Sequence, residues 1–524
     1  MDNVAEQAAS FGRVSSAYQV FQEMQGKYRA AGEGATAEEL RALHEEGAEK
    51  ALHTAKALGG VYNKAAQFVS SLQGGASDRG LPQQYVRRLA ELTDQAQVRP
   101  FEEVQDVICS ELSLKSLDEM FRSVDKQPVG AASLAQVHRA TMLDGTEVAL
   151  KVQHKNLQQQ AEADLSVLDS MASQIQPAGF PDMRWLLQEF RENIREELDF
   201  TREAENATLL TEEFNGSSSL DDEVHVPYVY RSTKRLLVLE FLEPLVHVSD
   251  TNQLKSRKLP VAQIADCMAL AIFRMTLLRG ATHGDPHGGN VYCRTLQNPR
   301  HHNRRRHFWQ LILLDFGLVY RIDDSTRNRL CELVLVCVRQ RQARIEELAK
   351  SLAGERLWQF LPLLLSPYFV YGAKLSREEI NAAASQRLPP EVSLNSIASL
   401  LQSVHGTGGR HGVLPVLHCF GYLRGMLNST NAYSERKRVR ALSFAAWAGF
   451  YQREPSLFRR TILSAEVEWL HLRIALTAAC SPVLFRRMPQ RPQRQVAAAV
   501  AGLAGVALVG GALTHQLSPV LLKH

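Results

Sequence analysis

Three short segments hold the residues whose types and spacing suit chemistry. One is His283-Gly-Asp-Pro-His-Gly-Gly-Asn290, and a second is Leu314-Asp315-Phe316-Gly317. An aspartate followed five residues later by an asparagine, and then an apolar strand ending on another aspartate, gathers hard oxygen donors. Asn290 and Asp315 suit Mg²⁺, which is held by one or two protein oxygens and completed by substrate phosphates. A nucleoside triphosphate, with about four negative charges, is the substrate that needs such an ion. Asp285 is then the carboxylate that orients an acceptor hydroxyl and takes its proton. The third segment, Val148-Ala149-Leu150-Lys151, ends in an ammonium suited to the α- and β-phosphates. Lys151 needs a carboxylate to hold it, and Glu197, Asp199 and Glu203 are the candidates.

The surrounding pattern supplies elements to position these groups. Ala135–Met142 and Thr146–Gln153 read as two strands around the turn Leu143-Asp144-Gly145. A helical stretch dense in Glu and Arg, Trp185–Phe214, follows. Two further strands are expected at Val226–Tyr230 and Arg235–Phe241, the latter carrying Glu240, which is counted among the nucleotide-binding residues. Val291–Cys293 and Gln310–Leu314 form a strand pair that fixes both metal ligands. The first ~125 residues read as helices, with Thr36 and Glu39 at capping-box spacing. Gly47 interrupts the apolar face that follows and weakens the case for one unbroken helix. Val261–Leu278 and nearly everything from Ser325 to Ala479 read as helix. The fold class is therefore α+β and bilobal, a small antiparallel-sheet lobe before a large helical lobe, with a helical N-terminal extension. The order of motifs resembles that of protein kinases.

Between Pro128 and His138, where a glycine loop would cover phosphates, the chain reads Val-Gly130-Ala131-Ala132-Ser133-Leu-Ala-Gln-Val. Alanine disfavours positive φ, so this loop should be stiffer than a glycine loop. GAASLAQVHRA, VALKVQ, ELDFTREAEN, HGDPHGGN and LLDFG together closely resemble the UbiB/aarF-domain atypical kinases over roughly residues 55–430. The resemblance implies ATP and Mg²⁺ as cofactors and a role in coenzyme Q or other prenyl-lipid metabolism. It implies a membrane-associated protein of mitochondria or plastids, and a lipid or small-molecule acceptor. It also implies that a K-x-G-Q helix, here Lys64-Ala65-Ala66-Gln67, folds over the site. Lys64 would then approach Glu197 and Asp199, leaving Glu203 for Lys151. Leu423-Arg424-Gly425 resembles a late segment of the same family.

Three departures stand out: Ala66 for the K-x-G-Q glycine, Gly130 for the first of three alanines, and Gly288 for a proline in the catalytic loop. None removes a catalytic side chain. The expected divisions are 1–54, an N-terminal helical region; 55–125, the K-x-G-Q-like extension; 126–245 and 246–480, the two lobes; and 481–524, a basic linker and tail. No A-P-E or activation segment follows Asp315-Phe316-Gly317, which argues against protein substrates. An aminoglycoside/choline-kinase-like phosphotransferase and a nucleotide-regulated, non-catalytic scaffold are the alternatives.

Composition agrees with a globular chain: 524 residues, 45% hydrophobic, 22% charged and a net charge of +4. Sixty basic residues are matched by 56 acidic ones, so no nucleic-acid partner is indicated. The seven cysteines contain no C-x-x-C, so a zinc site or disulfide framework is not expected. Asn298–His307 reads as a solvated basic insertion, with anionic lipid headgroups as the second reading. Val496–Leu513 is uncharged and follows Arg486, Arg487, Arg491 and Arg494. At ~1.5 Å per residue it reaches ~27 Å, just short of a hydrocarbon core of ~30 Å. A membrane-inserted tail is the expectation, with Ala498/Gly502 and Ala501/Gly505 as a small-residue packing face.

Overall fold

The computed structural model describes residues 2–71, 82–91, 98–175, 184–215, 223–296, 308–371, 379 and 412–480, except Glu33, Ala90, Asp285, His287, Asn431 and Tyr433. The chain forms two compact units. Of the described residues, the first combines those up to Val246 with Asn290–Val319; the second takes His247–Gly289 and those from Tyr320 onward.

The first unit opens with helices Asp2–Ala31, Ala37–Leu58, Gly60–Ser71, Gln83–Leu89 and Phe101–Leu112. Thr36 and Glu39 form the anticipated capping box at the start of Ala37–Leu58. That helix runs unbroken through Gly47, contrary to the interruption its sequence suggests. The reason is tertiary: a Cβ at Gly47 would stand 1.9 Å from the Tyr85 hydroxyl, so the glycine makes room for a neighbouring helix. The first 125 residues are not all helical either. Phe121–Val124 is a strand, with Phe121 buried, and it pairs antiparallel with Ala135–Met142.

The main sheet runs Phe121–Val124, Ala135–Met142, Glu147–Gln153, Leu236–Glu240, Val229–Ser232, with Gly130–Ala131 added beside Ala135–Met142. Every pairing in it is antiparallel. The hairpin closes at Gly145 (φ 90°), where Asp144 Oδ1 accepts the Thr146 N–H at 2.8 Å. Side chains alternate faces along a strand, and this sorts the lysine strand. Val148, Leu150 and Val152 are buried with Val104, Val107 and Ile108 of the helix Phe101–Leu112. Lys151 therefore points to the opposite face, where Ala135 and Leu237 pack with Phe200 and Ala204.

The stretch expected as one helix from Trp185 to Phe214 is two, Arg184–Glu197 and Phe200–Phe214. Asp199 breaks it. Its backbone is extended (φ −118°, ψ 93°), and its side chain accepts the Thr201 N–H as an N-cap. A second sheet pairs Val291–Thr295 antiparallel with Trp309–Leu313, which takes Val224–His225 alongside in parallel. The strand expected from Val226 thus starts later, at Val229, and its predecessors serve another sheet.

The second unit is mainly helical, with Val261–Leu277, Asp324–Arg339, Gln342–Leu357, Leu414–Ser429, Glu435–Tyr451 and Leu457–Cys480 as its longer helices. Val261–Leu277 is buried along most of its length. Glu435–Tyr451 lies so close to it that a Cβ at Gly449 would stand 2.0 Å from the Leu277 carbonyl oxygen. Arg424 donates to the Leu364 carbonyl at 2.9 Å. Among the described residues no helix is long and apolar enough to cross a membrane. Val496–Leu513 and Asn298–His307 lie outside the described residues.

Candidate nucleotide site

Lys151 is the centre of the site. Its Nζ donates to both carboxylate oxygens of Glu203, each at 2.8 Å, and to Asp315 Oδ1 at 3.3 Å. Of the three carboxylates the sequence offered, Glu203 is the one beneath the ammonium. Glu203 lies in the first turn of Phe200–Phe214, the helix packed on the lysine face of the sheet, and is 4% exposed. Burial disfavours the ammonium, but the charges of Asp315 and Glu203 and their hydrogen bonds outweigh it, raising the Lys151 pKa above that of an ordinary lysine. Lys151 is therefore a fixed cation at neutral pH. The Asp315 side chain is 45% exposed, so its carboxylate keeps an open side for a ligand.

The hairpin Val291–Thr295/Trp309–Leu313 sets the segments of Asn290 and Asp315 next to each other. Val291 pairs with Leu313, and the Leu314 N–H donates to the Asn290 carbonyl at 2.9 Å. Asp315 sits in the left-handed region (φ 58°), which an aspartate tolerates better than most side chains. Its Oδ1 accepts the Gly317 N–H at 3.3 Å. Among the described residues no group of three His, Cys, Asp or Glu side chains could hold an ion alone. One amide and one carboxylate suit Mg²⁺ that arrives with phosphates, and do not suit an all-protein cage.

A second ion pair lies nearby. Lys64 Nζ is 2.8 Å from Glu197 Oε2, with both side chains about one-fifth exposed. A Cβ at Gly317 would meet Asp315 Oδ1 at 3.3 Å, Glu203 Oε2 at 3.6 Å and Glu197 Cγ at 3.9 Å. The glycine thus lies where the two pairs converge. Asp199 is differently employed, its Oδ1 accepting from the Thr201 backbone at 3.1 Å and hydroxyl at 2.6 Å. Gln67 lies one turn beyond Lys64 on the same helix. The helix break at Asp199 is what lets Glu197 and Glu203 face different lysines.

The alanine loop lies one strand beyond the lysine's neighbour: Gly130 pairs with Val137, which pairs with Lys151. Neither Gly130 nor the alanines has a positive φ. Gly130 thus makes no use of the freedom that distinguishes it from the usual alanine. The loop is pinned by the Ala132 N–H donating to the Ala135 carbonyl at 2.8 Å and by His154 Nε2 at 3.1 Å from the Ala132 carbonyl. The Glu240 carboxylate is engaged by His225 Nε2 at 2.7 Å and the Tyr228 N–H at 3.3 Å. Burial would raise its pKa, but those bonds and the charge of Arg294 lower it. Any nucleotide contact from Glu240 would therefore use its backbone. Asp285 lies outside the described residues.

Sequence reasoning gave no role to Asn206, whose Nδ2 donates to the Phe316 carbonyl at 3.1 Å. It lies three residues after Glu203, on the same side of the helix, and that spacing was the available signal. Asn206→Ala is expected to slow ATP turnover about five- to thirtyfold, the worth of one lost hydrogen bond of about 1–2 kcal/mol. Thermal unfolding should move little; a normal rate would show that Asn206 does not position Asp315.

A family model described as the ABC1 atypical kinase-like domain matches residues 91–349. AarF domain-containing protein kinase 1 of Xenopus laevis is 31% identical over 386 residues, covering 72% of this chain and 69% of that protein. "Probable serine/threonine-protein kinase abkD" of Dictyostelium discoideum is 31% identical over 332 residues, so the chain spans 45% of that longer relative. Among solved structures it is similar to Rv3197 of Mycobacterium tuberculosis, solved in complex with erythromycin, at 20% identity and a TM-score of 0.41 over 75% of this chain and 97% of that one. With its mixed α+β fold and its lysine–glutamate–aspartate cluster, the chain belongs to the ABC1/AarF family of atypical kinases.

Proposed function

We propose that this chain is an ATP-binding, Mg²⁺-dependent phosphotransferase or ATPase that works at a membrane on a small or lipid-borne hydroxyl, or on water. The observation that carries this reading is Lys151 held between Glu203 and Asp315. Lys151 would pair with the α- and β-phosphates, and Asn290 and Asp315 would hold the ion. Bound Mg²⁺ supplies charge neutralisation at the transferring phosphoryl group. Glu203 keeps Lys151 charged and aimed, and Asp285 would orient the acceptor and take its proton. The short loop Gly130–Ser133 would cover the phosphates.

Lys64 and Glu197 support a small acceptor over a protein one. Their pairing ties the helix Gly60–Ser71 to Glu197, whose Cγ lies near Gly317, and by the family resemblance that helix would obstruct a protein substrate. The family resemblance points to prenyl-lipid or coenzyme Q homeostasis in a mitochondrial or plastid membrane, with residues 496–513 as the anchor. The test is ATP hydrolysis by the purified chain, with and without Mg²⁺ and liposomes, beside Asp315→Asn. Mg²⁺-dependent hydrolysis reduced at least about a hundredfold in Asp315→Asn is expected, as for loss of one preorganised charge at a transition state. Absence of nucleotide binding would sink the proposal, and tight binding without turnover would favour the scaffold.

A further inference from the structure

Gly59 and Gly60 join the helices Ala37–Leu58 and Gly60–Ser71, and both have positive φ, 63° and 53°. A bend made of two glycines carries no steric strain, but by itself it sets the direction of the next helix only loosely. That helix carries Lys64. Arg13, in the helix Asp2–Ala31, spans the bend: its Nη1 donates to the Leu58 carbonyl at 2.6 Å and its Nη2 to Asp164 Oδ2 at 3.1 Å. The Leu58 carbonyl ends its helix and has no donor from within it. Nη2 also lies 3.9 Å from the place a Cβ at Gly60 would take, so the guanidinium rests on the second glycine. Asp164 belongs to the helix Leu157–Ile175 and is 1% exposed. That helix touches both sides of the Lys64–Glu197 pair. Its Ala161 and Leu165 share one buried cluster with Val61 of the Lys64 helix and with Phe190 and Ile194 of the helix ending at Glu197. Tyr62 and Ala66 pack instead with Ala17, one turn beyond Arg13, and with Leu52 and Ala55.

We propose that Arg13 is a positioning residue: it clamps the Gly59–Gly60 bend onto Asp164 and so sets the reach of Lys64 to Glu197. The proposal rests on the ATP-binding reading above only for its effect on turnover. A buried ion pair adds little net stability, because desolvation offsets its attraction, so the use of Arg13 and Asp164 is to fix geometry. Lys64 Nζ is 2.8 Å from Glu197 Oε2. A Cβ at Gly317 would meet Glu203 Oε2 at 3.6 Å and Glu197 Cγ at 3.9 Å, so Glu197 stands beside the Lys151 cluster. Freeing the bend would draw a cation away from a carboxylate next to the place of the phosphates, and like charge would then oppose ATP. Binding weakens, while the transfer step, which uses other groups, does not. Lysine is a poor substitute for Arg13, because only the planar fork holds two acceptors in fixed directions.

The test is hydrogen exchange of the full chain, read by mass spectrometry, beside ATP hydrolysis. In Arg13→Ala the amides of Gly60–Ser71 should exchange at least about fivefold faster, the worth of the two lost hydrogen bonds. Arg13→Lys and Asp164→Asn, which each keep part of the contact, should show a smaller rise of about two- to threefold. The control is Lys27→Ala/Lys50→Ala. It removes the pairs Lys27–Glu46 and Lys50–Glu23, which also join Asp2–Ala31 to Ala37–Leu58, but Lys27 lies ~21 Å along its helix from Arg13. That variant should leave Gly60–Ser71 at the native rate. KM for MgATP should rise about fivefold in Arg13→Ala and in Lys64→Ala, with kcat within about twofold. Arg13→Ala/Lys64→Ala should raise KM no further, because the first residue acts through the second. Native exchange in Arg13→Ala, or equal loosening in the control, would overturn the proposal. So would KM effects that multiply in the double variant. A native chain that hydrolyses no ATP refutes the function proposed above and leaves the exchange rates to judge the clamp. Should Arg13→Ala fail to fold by thermal unfolding, Arg13→Lys carries both measurements.

Discussion

Lys151→Met is expected to abolish measurable ATP turnover and to destabilise the first unit at the same time. The ammonium makes two contacts of 2.8 Å to Glu203 and one of 3.3 Å to Asp315. Without it, Glu203 is a carboxylate 4% exposed with its cation removed. Breaking a buried pair by removing one partner costs about 3–5 kcal/mol, while replacing both by apolar groups can be neutral. The double variant Lys151→Met/Glu203→Leu should therefore recover most of the lost thermal stability and none of the activity. The activity loss is expected to be about a hundredfold or more, because a fixed charge at the phosphates is worth about 2.7–4 kcal/mol. Calorimetry and ATP hydrolysis on the native chain, both single variants and the double variant complete the cycle. If the double variant is no more stable than Lys151→Met, Glu203 is not the buried partner that the geometry describes.

Gly449→Ala is expected to have the largest effect on the helical unit. Its Cβ would stand 2.0 Å from the Leu277 carbonyl oxygen, 2.8 Å from that carbonyl carbon and 2.9 Å from Cys331 Sγ. Two of these are backbone atoms at the end of the buried helix Val261–Leu277, which cannot turn aside as a side-chain tip would. Overpacking of this kind costs about 3 kcal/mol or more. At roughly 2–4 °C per kcal/mol for a unit of this size, the melting temperature should fall by about 6–12 °C. Gly421, also within a helix, has nothing within 4 Å of its would-be Cβ. Gly421→Ala should therefore raise stability by up to about 1 kcal/mol. A Gly449→Ala protein that melts with the native chain would show that the two helices have room to separate.

The sequence made the chemistry more legible than its wiring. The hairpin Ala135–Gln153 was readable because alternation and the Asp144-Gly145 turn agree, and its observed strands differ from expectation by one residue. Three acids within seven residues, however, gave no local reason to choose among Glu197, Asp199 and Glu203, and only the family resemblance pointed to Glu203 for Lys151. The choice depended on a helix break that Asp199 creates by capping, which moves its neighbours onto separate helices. Gly47 misled in the opposite way. Its helix penalty is local, but the Tyr85 hydroxyl that needs the space comes from another helix.

The hairpin beside Asn290 and Asp315, the proposed metal ligands, has unlike ends. Asn290 and Asp315 stand just beyond the end where Val291 meets Leu313, the first of five residue pairs, and Thr295 with Trp309 is the last. A strand advances about 3.4 Å per residue, so the first and last pairs lie ~14 Å apart. A one-residue insertion at the ligand end would turn every following side chain to the wrong face. At the other end, doubling the connecting segment adds only about 0.6 kcal/mol of closure entropy. The two ends therefore tolerate change differently: one is bound to its spelling, while the other can lengthen without shifting Asn290 and Asp315.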